Sequence, residues 1–427
     1  MRGSKPIIAV LGAVIMVAAV VAIASQADAG RTSAHRGRTA VKTTAHSVSR
    51  GKQRGSSTAL TAVSAAIGLR AGVASPSAAG LAAAEALLPK LTPLQLAGQR
   101  VIYSYAGLTP PARLLSLISH GEVAGVIFFS ANVGTPAHLA AVVRQLDQAA
   151  ASNLNPVHLP LLLMTDQEGG QVRRLPGPPL LSEKQVGEAS HPWQAATQAG
   201  SGAASNLRSV GLNVNLAPVL DVFRQAGNFI DEFGRSFSSN PKKAAKLGEL
   251  YATAEQQGGV AATVKHFPGL GAARRSQNTD ERPVTLRLPL PAIRSVDELP
   301  YVSAVAAKVK LVMVSWAIYP ALDRKFPAGL SSTIVQGELR QRLGFGGVTI
   351  TDALEAGALN PFGSIANRAT LAANAGMDLL LCAGQNVTEG VNALHALAGD
   401  YKHGSVAYDQ AFKAAAERIL ALRKTLP

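Results

Sequence analysis

Apolar residues between positions 101 and 382 are concentrated in eight short runs. Each run is rich in β-branched or other apolar residues and is bounded by Gly, Pro or polar residues, which is typical of strands. Most runs are nearly continuous rather than alternating, as expected of parallel strands that are covered on both faces. The runs comprise residues 101–105, 125–129, 159–165, 212–217, 260–265, 311–316, 347–351 and 377–382.

The segments between these runs show helical periodicity. The clearest cover residues 136–151, 193–210, 241–257 and 365–375, and an alanine-rich stretch at 81–88 is predicted to begin the first helix. Eight strands alternating with helices predict an α/β fold, a (β/α)8 barrel of the TIM type in a single domain. A doubly wound open sheet is the less favoured alternative, because periodicity does not separate the two.

The start of the chain has the pattern of a targeting segment. Residues 6–27 carry no charge and follow Arg2 and Lys5, and Ala27-Asp28-Ala29 fits a cleavage site. The apolar run is also close to the ~20 residues of a membrane-spanning helix. We therefore expect residues 1–29 to be a signal peptide or a membrane anchor. The body then lies outside the cytoplasmic membrane, either secreted or anchored to it.

Positive charge is concentrated near the N-terminus. Residues 1–90 hold 11 of the 41 Lys and Arg residues but only 2 of the 26 Asp and Glu residues. We expect residues 30–83 to be a disordered, basic, low-complexity linker that precedes a barrel domain at 84–427. The linker either adheres to an anionic cell wall or membrane surface or is a solvated tether without a partner. The body has no basic patch with a recognisable module, which argues against nucleic-acid binding.

Polar residues follow four of the apolar runs. Asp166 follows the third run, Asp221 the fourth, Lys265-His266 the fifth and Asp352 the seventh. In a barrel the active site is built from the carboxyl ends of the strands. A charged side chain at such a position destabilises the fold unless it is paired with an opposite charge or serves in binding or catalysis. We predict an active site there, with a ring of structural salt bridges as the alternative.

The single cysteine, Cys382, excludes a disulfide framework and a cysteine-based zinc site.

From about residue 91 the chain resembles glycoside hydrolase family 3, in its β-N-acetylglucosaminidase branch. The matching segments are LLLMTDQEGGQVRRLPGPP (161–179), NVNLAPVLDV (213–222), GRSFSSNP (234–241), VKHFPGLG (264–271), VMVSWAIYPALD (312–323) and LGFGGVTITDALEAGAL (343–359). The resemblance implies a barrel without a second sandwich domain and no metal or organic cofactor. It also implies an enzyme that removes terminal β-linked N-acetylglucosamine from cell-wall-type glycans, with peptidoglycan fragments outside a Gram-positive-type cell as natural substrates; the targeting segment adds that the enzyme is exported.

The resemblance also implies roles for individual residues. Asp352 matches the nucleophile of a retaining mechanism, in which a carboxylate forms a glycosyl-enzyme. The sugar-binding set is matched by Asp166, Arg174, Arg235, Lys265 and His266. Arg173 is the alternative to Arg174 as a sugar-binding arginine. The alternative for Arg235 is that it is a surface residue without a role in the site. Glu168 and Asp221 are interpreted as structural, whereas Trp316 fits the sugar pocket and the core equally well.

The acid/base is the point at which the chain departs from the family pattern. The family places Asp and His on the loop after KHFPG, where this chain has Ser276 and Asn278, and neither can serve as a general acid. Three interpretations follow: a shifted loop in which Asp280 (or Glu281) is the acid, a role for His266, or a missing acid/base. Two alternative functions remain. One is another exo-β-glycosidase specificity such as a β-glucosidase, and the other is a non-catalytic protein that binds wall glycans.

Overall fold

A computed structural model of the protein describes residues 78–427. The signal peptide or anchor predicted at 1–29, and the linker residues up to 77, lie outside the described residues. Within residues 78–427, none of the helices combines the length and apolar character that crossing a membrane requires.

Eight parallel strands close into a barrel, and each of the eight predicted runs supplies one of them. The predicted (β/α)8 barrel is confirmed, and the open-sheet alternative is wrong. The strands are β1 (Val101–Tyr103), β2 (Gly125–Ile127), β3 (Leu162–Thr165), β4 (Gln167–Gly169), β5 (Val172–Arg173), β6 (Val214–Asn215), β7 (Ala261–Phe267), β8 (Leu311–Val314), β9 (Val348–Ala353) and β10 (Leu379–Leu381). Around the barrel, neighbouring strands follow the order β1-β10-β9-β8-β7-β6-β3-β2, while β4 and β5 form an antiparallel hairpin outside the barrel.

Helices surround the barrel. They are α1 (Ala78–Leu87), α2 (Pro93–Gly98), α3 (Ala112–Ser119), α4 (Ser130–Val133), α5 (Pro136–Ala150), α6 (Glu183–Glu188), α7 (Pro192–Arg208), α8 (Pro241–Gln257), α9 (Leu290–Ala292), α10 (Leu299–Ala306), α11 (Ile365–Ala375), α12 (Val387–His403) and α13 (Val406–Arg423). Two π-helical segments, Ile293–Asp297 and Thr333–Arg342, and four short 3₁₀ turns, Leu88–Lys90, Asp231–Phe233, Ala328–Leu330 and Gly357–Phe362, complete the set described.

The predicted helix boundaries follow local signals. Helix α8 begins where predicted because the Asn240 side chain accepts hydrogen bonds from two backbone N–H groups of the first turn, and Pro241 occupies a position that needs no donor. The first helix begins at Ala78, a few residues earlier than expected and inside the segment assigned to the linker.

Helix α13 helps to close the barrel interior. Its Ile419 and Leu422 are buried in the same apolar cluster as the inward-facing strand residues. Asp378, next to β10, is fully buried between Arg340 at 2.6 Å and Arg418 of α13 at 2.7 Å. The helix is therefore joined to the barrel by both apolar packing and paired charges.

Candidate active site

The strand ends bring all seven sequence-predicted site residues to one cavity of about 470 Å³. Asp166, Arg174, Arg235, Lys265, His266, Asp280 and Asp352 all line it. They come from different strands and loops of the barrel, as the position of active sites in this architecture requires.

A buried cluster of opposite charges lies at one wall of the cavity. The Lys265 ammonium group at the end of β7 lies 2.7 Å from Asp166 and 2.8 Å from Glu168. Glu168 in β4 also accepts two hydrogen bonds of 2.8 Å from the Arg235 guanidinium group. Burial alone would raise the pKa of Glu168, but Arg235 and Lys265 outweigh it and hold that pKa well below its usual range. Glu168 is therefore held in its ionised form, and it lines the cavity together with Asp166 and Lys265.

The same cluster holds Asp166 in its charged form. Burial opposes ionisation, but Lys265 and Arg174 lower the pKa of Asp166 below its ordinary value. The Arg174 guanidinium group lies 3.6 Å from Asp166, whereas Arg173 donates to the backbone carbonyls of Gly170 and Gly177. The structure thus places Arg174 in the cavity and gives Arg173 a loop-bracing position. Arg235 also lines the cavity, so its interpretation as a surface residue is wrong.

His266 is oriented by a buried carboxylate. Its Nδ1 lies 2.7 Å from Oδ2 of Asp221, and Oδ1 of Asp221 accepts the Leu270 backbone N–H at 2.6 Å. Asp221 is fully buried and is absent from the cavity lining. This pairing favours a proton on Nδ1 of His266. Asp221 therefore orients His266 without lining the cavity itself, in agreement with its interpretation as structural.

Asp352 and Asp280 face the same cavity. Asp352 is in β9 and is half-buried, and its Oδ1 accepts the Ala353 N–H at 2.8 Å. Asp280 is in the loop after β7. Partial desolvation and the nearby Asp352 carboxylate raise the pKa of Asp280 to about 6. The raised pKa means that Asp280 keeps its proton up to about pH 6.

The loop after β7 separates the candidates for the acid. Asp280 lines the cavity, whereas Ser276 and Glu281 do not. Glu281, which is exposed like Asp280, pairs with Arg282 at 3.0 Å. Asn278 also lines the cavity.

Trp316 is a core residue and is absent from the cavity lining. It is 1% exposed, and its indole N–H donates to the Ala353 carbonyl at 2.8 Å. Cys382 is likewise fully buried.

One cavity residue was missed from the sequence. Glu355 lines the cavity, and burial raises its pKa to about 7. Its Oε2 accepts the Ala383 N–H at 3.1 Å. The available signal was its position three residues after Asp352 in the TDALEAG segment. Aromatic residues at Phe129, Phe229 and Phe233 also line the cavity and had no distinguishing pattern in the sequence.

No cluster of three or more His, Cys, Asp or Glu side chains within residues 78–427 has an arrangement suited to a metal ion. Five charged side chains of the cavity pair with one another: Asp166, Glu168, Arg174, Arg235 and Lys265. What they offer a ligand is hydrogen bonding through carboxylates, guanidinium groups and an ammonium group, a combination suited to hydroxyl-rich molecules.

Comparison with known proteins agrees with this geometry. Residues 94–422 match the "Glycosyl hydrolase family 3 N terminal domain". An uncharacterized secreted glycosyl hydrolase of Arthroderma benhamiae is 47% identical over 332 residues, which cover 77% of this chain and 93% of that protein.

Two solved structures extend the comparison. A family 3 β-N-acetylglucosaminidase from Paenibacillus sp. str. FPU-7 superposes with a TM-score of 0.73 at 33% identity, covering 78% of this chain and 62% of that one. A β-N-acetylhexosaminidase from Beutenbergia cavernae gives a TM-score of 0.70 at 29% identity, covering 78% and 98%. The chain therefore belongs to glycoside hydrolase family 3 and is a glycosidase whose structural neighbours include β-N-acetylglucosaminidases of that family.

Proposed function

We propose that the protein is an exo-acting, retaining β-N-acetylglucosaminidase with Asp352 as nucleophile and Asp280 as acid/base. The observation that carries the proposal is that both carboxyl groups line one cavity, and that the pKa of Asp280 is raised to about 6. A retaining glycosidase needs one ionised carboxylate and one protonated carboxyl group on either side of the glycosidic bond.

The proposed reaction has two displacements. In the first, a carboxylate oxygen of Asp352 bonds to the anomeric carbon as the bond to the leaving oxygen breaks, and Asp280 gives its proton to that oxygen. In the second, Asp280 takes a proton from water, the water oxygen bonds to the anomeric carbon, and the Asp352 ester bond breaks. Each step inverts the anomeric centre, so the product retains the starting configuration.

The terminal sugar would be held by the charged wall of the cavity. The Asp166 carboxylate accepts hydrogen bonds from sugar hydroxyl groups, and Arg174 and Lys265 donate them. Arg235 and His266 complete the set. Because Lys265 and Glu168 are already paired at 2.8 Å, these donors are positioned before the sugar arrives.

The sugar and the location are inferred from relatives. The Paenibacillus and Beutenbergia structures are named for N-acetylglucosamine or N-acetylhexosamine, which favours terminal β-linked N-acetylglucosamine here. The secreted relative from Arthroderma supports export. Cell-wall-type glycans, including peptidoglycan fragments, are then the natural substrates. The membrane anchor and the attachment of residues 30–83 to an anionic surface remain predictions from the sequence.

A second candidate is a protein that binds glycans without cleaving them, since Asn278 and Ser276 stand where the family has its acid/base pair. Hydrolysis of 4-nitrophenyl β-N-acetylglucosaminide and of the N-acetylglucosamine β-1,4-disaccharide separates the two. The assay uses wild type, Asp352→Asn and Asp280→Ala, with 4-nitrophenyl β-glucoside to test the other specificity. Asp147→Asn, on the exposed face of α5, is a control carboxylate that does not line the cavity.

We expect wild type and Asp147→Asn to cleave both N-acetylglucosaminides, and Asp352→Asn to lose at least about 1,000-fold on each, because covalent catalysis is removed. Asp280→Ala should lose about 100-fold or more on the disaccharide and much less on the nitrophenyl substrate. Binding of N-acetylglucosamine by a wild type that cleaves neither substrate supports the non-catalytic alternative. Preference for the glucoside supports the other specificity.

A further inference from the structure

The loop that carries Asp280 is joined by its backbone to the turn that follows Asp352. The Gly357 N–H donates to the Asp280 carbonyl at 2.7 Å, and the Ala358 N–H donates to the Thr279 carbonyl at 3.0 Å. A Cβ atom on Gly357 would lie 2.1 Å from the carbonyl oxygen of Glu281. Only glycine allows this approach, so the two segments lie in direct contact at the mouth of the cavity.

Asn278 stabilises the same loop from within. Its Oδ1 accepts the backbone N–H of Asp280 at 2.9 Å, which is the hydrogen bond of an Asx turn. Its Nδ2 donates to Oε1 of Glu281 at 3.3 Å. The Asn278 backbone carbonyl accepts from the N–H groups of Glu281 and Arg282. The chain direction at Asp280 is therefore set by the Asn278 side chain on one side and by Gly357 on the other.

We propose that Asn278 is a positioning residue that orients Asp280 toward the glycosidic oxygen. The inference rests on the proposed function, because it assumes that Asp280 is the acid/base. In this arrangement the residue at the family's histidine position does not transfer a proton. It holds in place the carboxyl group that does, through the hydrogen bond from the Asp280 N–H to Oδ1.

The chemistry of the side chain suits this role. An amide is neutral, so it anchors the turn without adding a charge beside Asp280 and Asp352. A carboxyl group without this anchor would sample other directions, and a displacement of about 1 Å from the reacting atom can cost about 100-fold in rate. This loss of rate is expected for a substrate with a poor leaving group, which needs the proton. It is not expected for a substrate with a good leaving group.

The test compares Asn278→Ala, Asn278→Ser and Asp280→Ala on two substrates, the N-acetylglucosamine disaccharide and 2,4-dinitrophenyl β-N-acetylglucosaminide. Because kcat/KM reports the first displacement, we expect Asn278→Ala to lower it about 10- to 100-fold for the disaccharide and less than about twofold for the dinitrophenyl substrate. The kcat for the dinitrophenyl substrate should also fall, since Asp280 must activate water, and added azide should restore it. Asn278→Ser keeps an acceptor oxygen and should recover most of the disaccharide activity.

Two control variants belong to the same loop. Ser276→Ala changes the residue at the position where the family has its aspartate; Ser276 is exposed and does not line the cavity. Glu281→Gln changes the side chain that accepts the hydrogen bond from Nδ2 of Asn278. Both should retain wild-type kcat/KM on both substrates. An equal fall of Asn278→Ala on both substrates overturns the positioning role, because it indicates loss of folding or of direct sugar contact.

Wild-type activity of Asn278→Ala on the disaccharide also overturns the inference. If Asp280→Ala shows the leaving-group dependence in that experiment, the proposed acid/base stands and only the role of Asn278 fails. If Asp280→Ala shows none, the assignment of the acid/base fails as well, and the inference fails with it.

Discussion

Lys265 Nζ lies 2.8 Å from Oε1 of Glu168, and both side chains are 2% exposed. Because both side chains are almost completely buried, each charge depends on the other and on the neighbouring Asp166 and Arg235. A buried pair of this kind positions the donors of a sugar site, but its removal is costly because the partner's charge stays buried.

The first prediction concerns that pair. Glu168→Gln should lower the free energy of unfolding by about 3–5 kcal/mol, because Lys265 and Arg235 lose their shared carboxylate in a buried setting. The measurement is urea unfolding followed by circular dichroism. The matched control is Glu249→Gln, which breaks the exposed Lys246–Glu249 pair at 2.9 Å and should cost less than about 1 kcal/mol. Equal effects in the two variants would contradict the burial argument.

The second prediction concerns pH. Asp280 must be protonated to act as an acid, and its pKa is raised to about 6. The kcat/KM for the disaccharide should therefore be highest below about pH 6 and fall as pH rises through that value. The dinitrophenyl substrate should show no such alkaline limb, because its leaving group needs no proton.

Glu355 provides the control for this pH profile, since its pKa is raised to about 7 and it lines the same cavity. Glu355→Gln should keep the alkaline limb. If the fall of kcat/KM at high pH disappears in Glu355→Gln and persists in Asp280→Ala, the group that titrates is Glu355 and not Asp280.

The third prediction follows from the coupling between the two aspartates. The Asp352 carboxylate is one of the groups that raise the pKa of Asp280. Asp352→Asn removes that charge, so the pKa of Asp280 should move down toward its ordinary value. Carbon-detected NMR titration of the aspartate carboxyl groups, with Asp280→Asn for assignment, measures the shift. An unchanged Asp280 pKa would show that desolvation alone raises it.

The fourth prediction concerns the closure of the barrel by α13. Ile419 is fully buried in the barrel-interior cluster, so Ile419→Ala should lower the free energy of unfolding by about 2–5 kcal/mol. Gln410→Ala, on the exposed face of the same helix, should have little effect. The comparison uses thermal and urea unfolding of the two variants. A loss confined to Gln410→Ala would refute the proposed packing.

The architecture could be predicted from the sequence because its signals are local. Runs of apolar residues bounded by Gly and Pro located all eight barrel strands, and helical periodicity over residues 241–257 located α8. The cavity residues could be grouped because the carboxyl ends of parallel strands meet at one end of a barrel, so Asp166, Lys265 and Asp352 converge. The resemblance to the family added Arg174 and Arg235, which lie in loops that no periodicity would place.

The partners of those residues depended on the tertiary structure. Trp316 was equally compatible with the pocket and the core, and the position of Glu355 in the TDALEAG segment did not show where its side chain points, because the direction of a side chain depends on which strands become neighbours. The loop after β7 is the clearest example. Its sequence offered Asp280, or alternatively Glu281, as the acid, and the structure places Asp280 in the cavity lining and Glu281 outside it, where Glu281 pairs with Arg282.

The sequence by itself determined the order of strands and helices, the end of the barrel at which polar residues collect, and the family. These follow from the spacing of apolar residues and from motifs a few residues long. The tertiary structure decided which charges pair and which carboxyl groups have a raised pKa. Such properties depend on distances between residues far apart in the chain and on burial, and both arise only when the barrel closes.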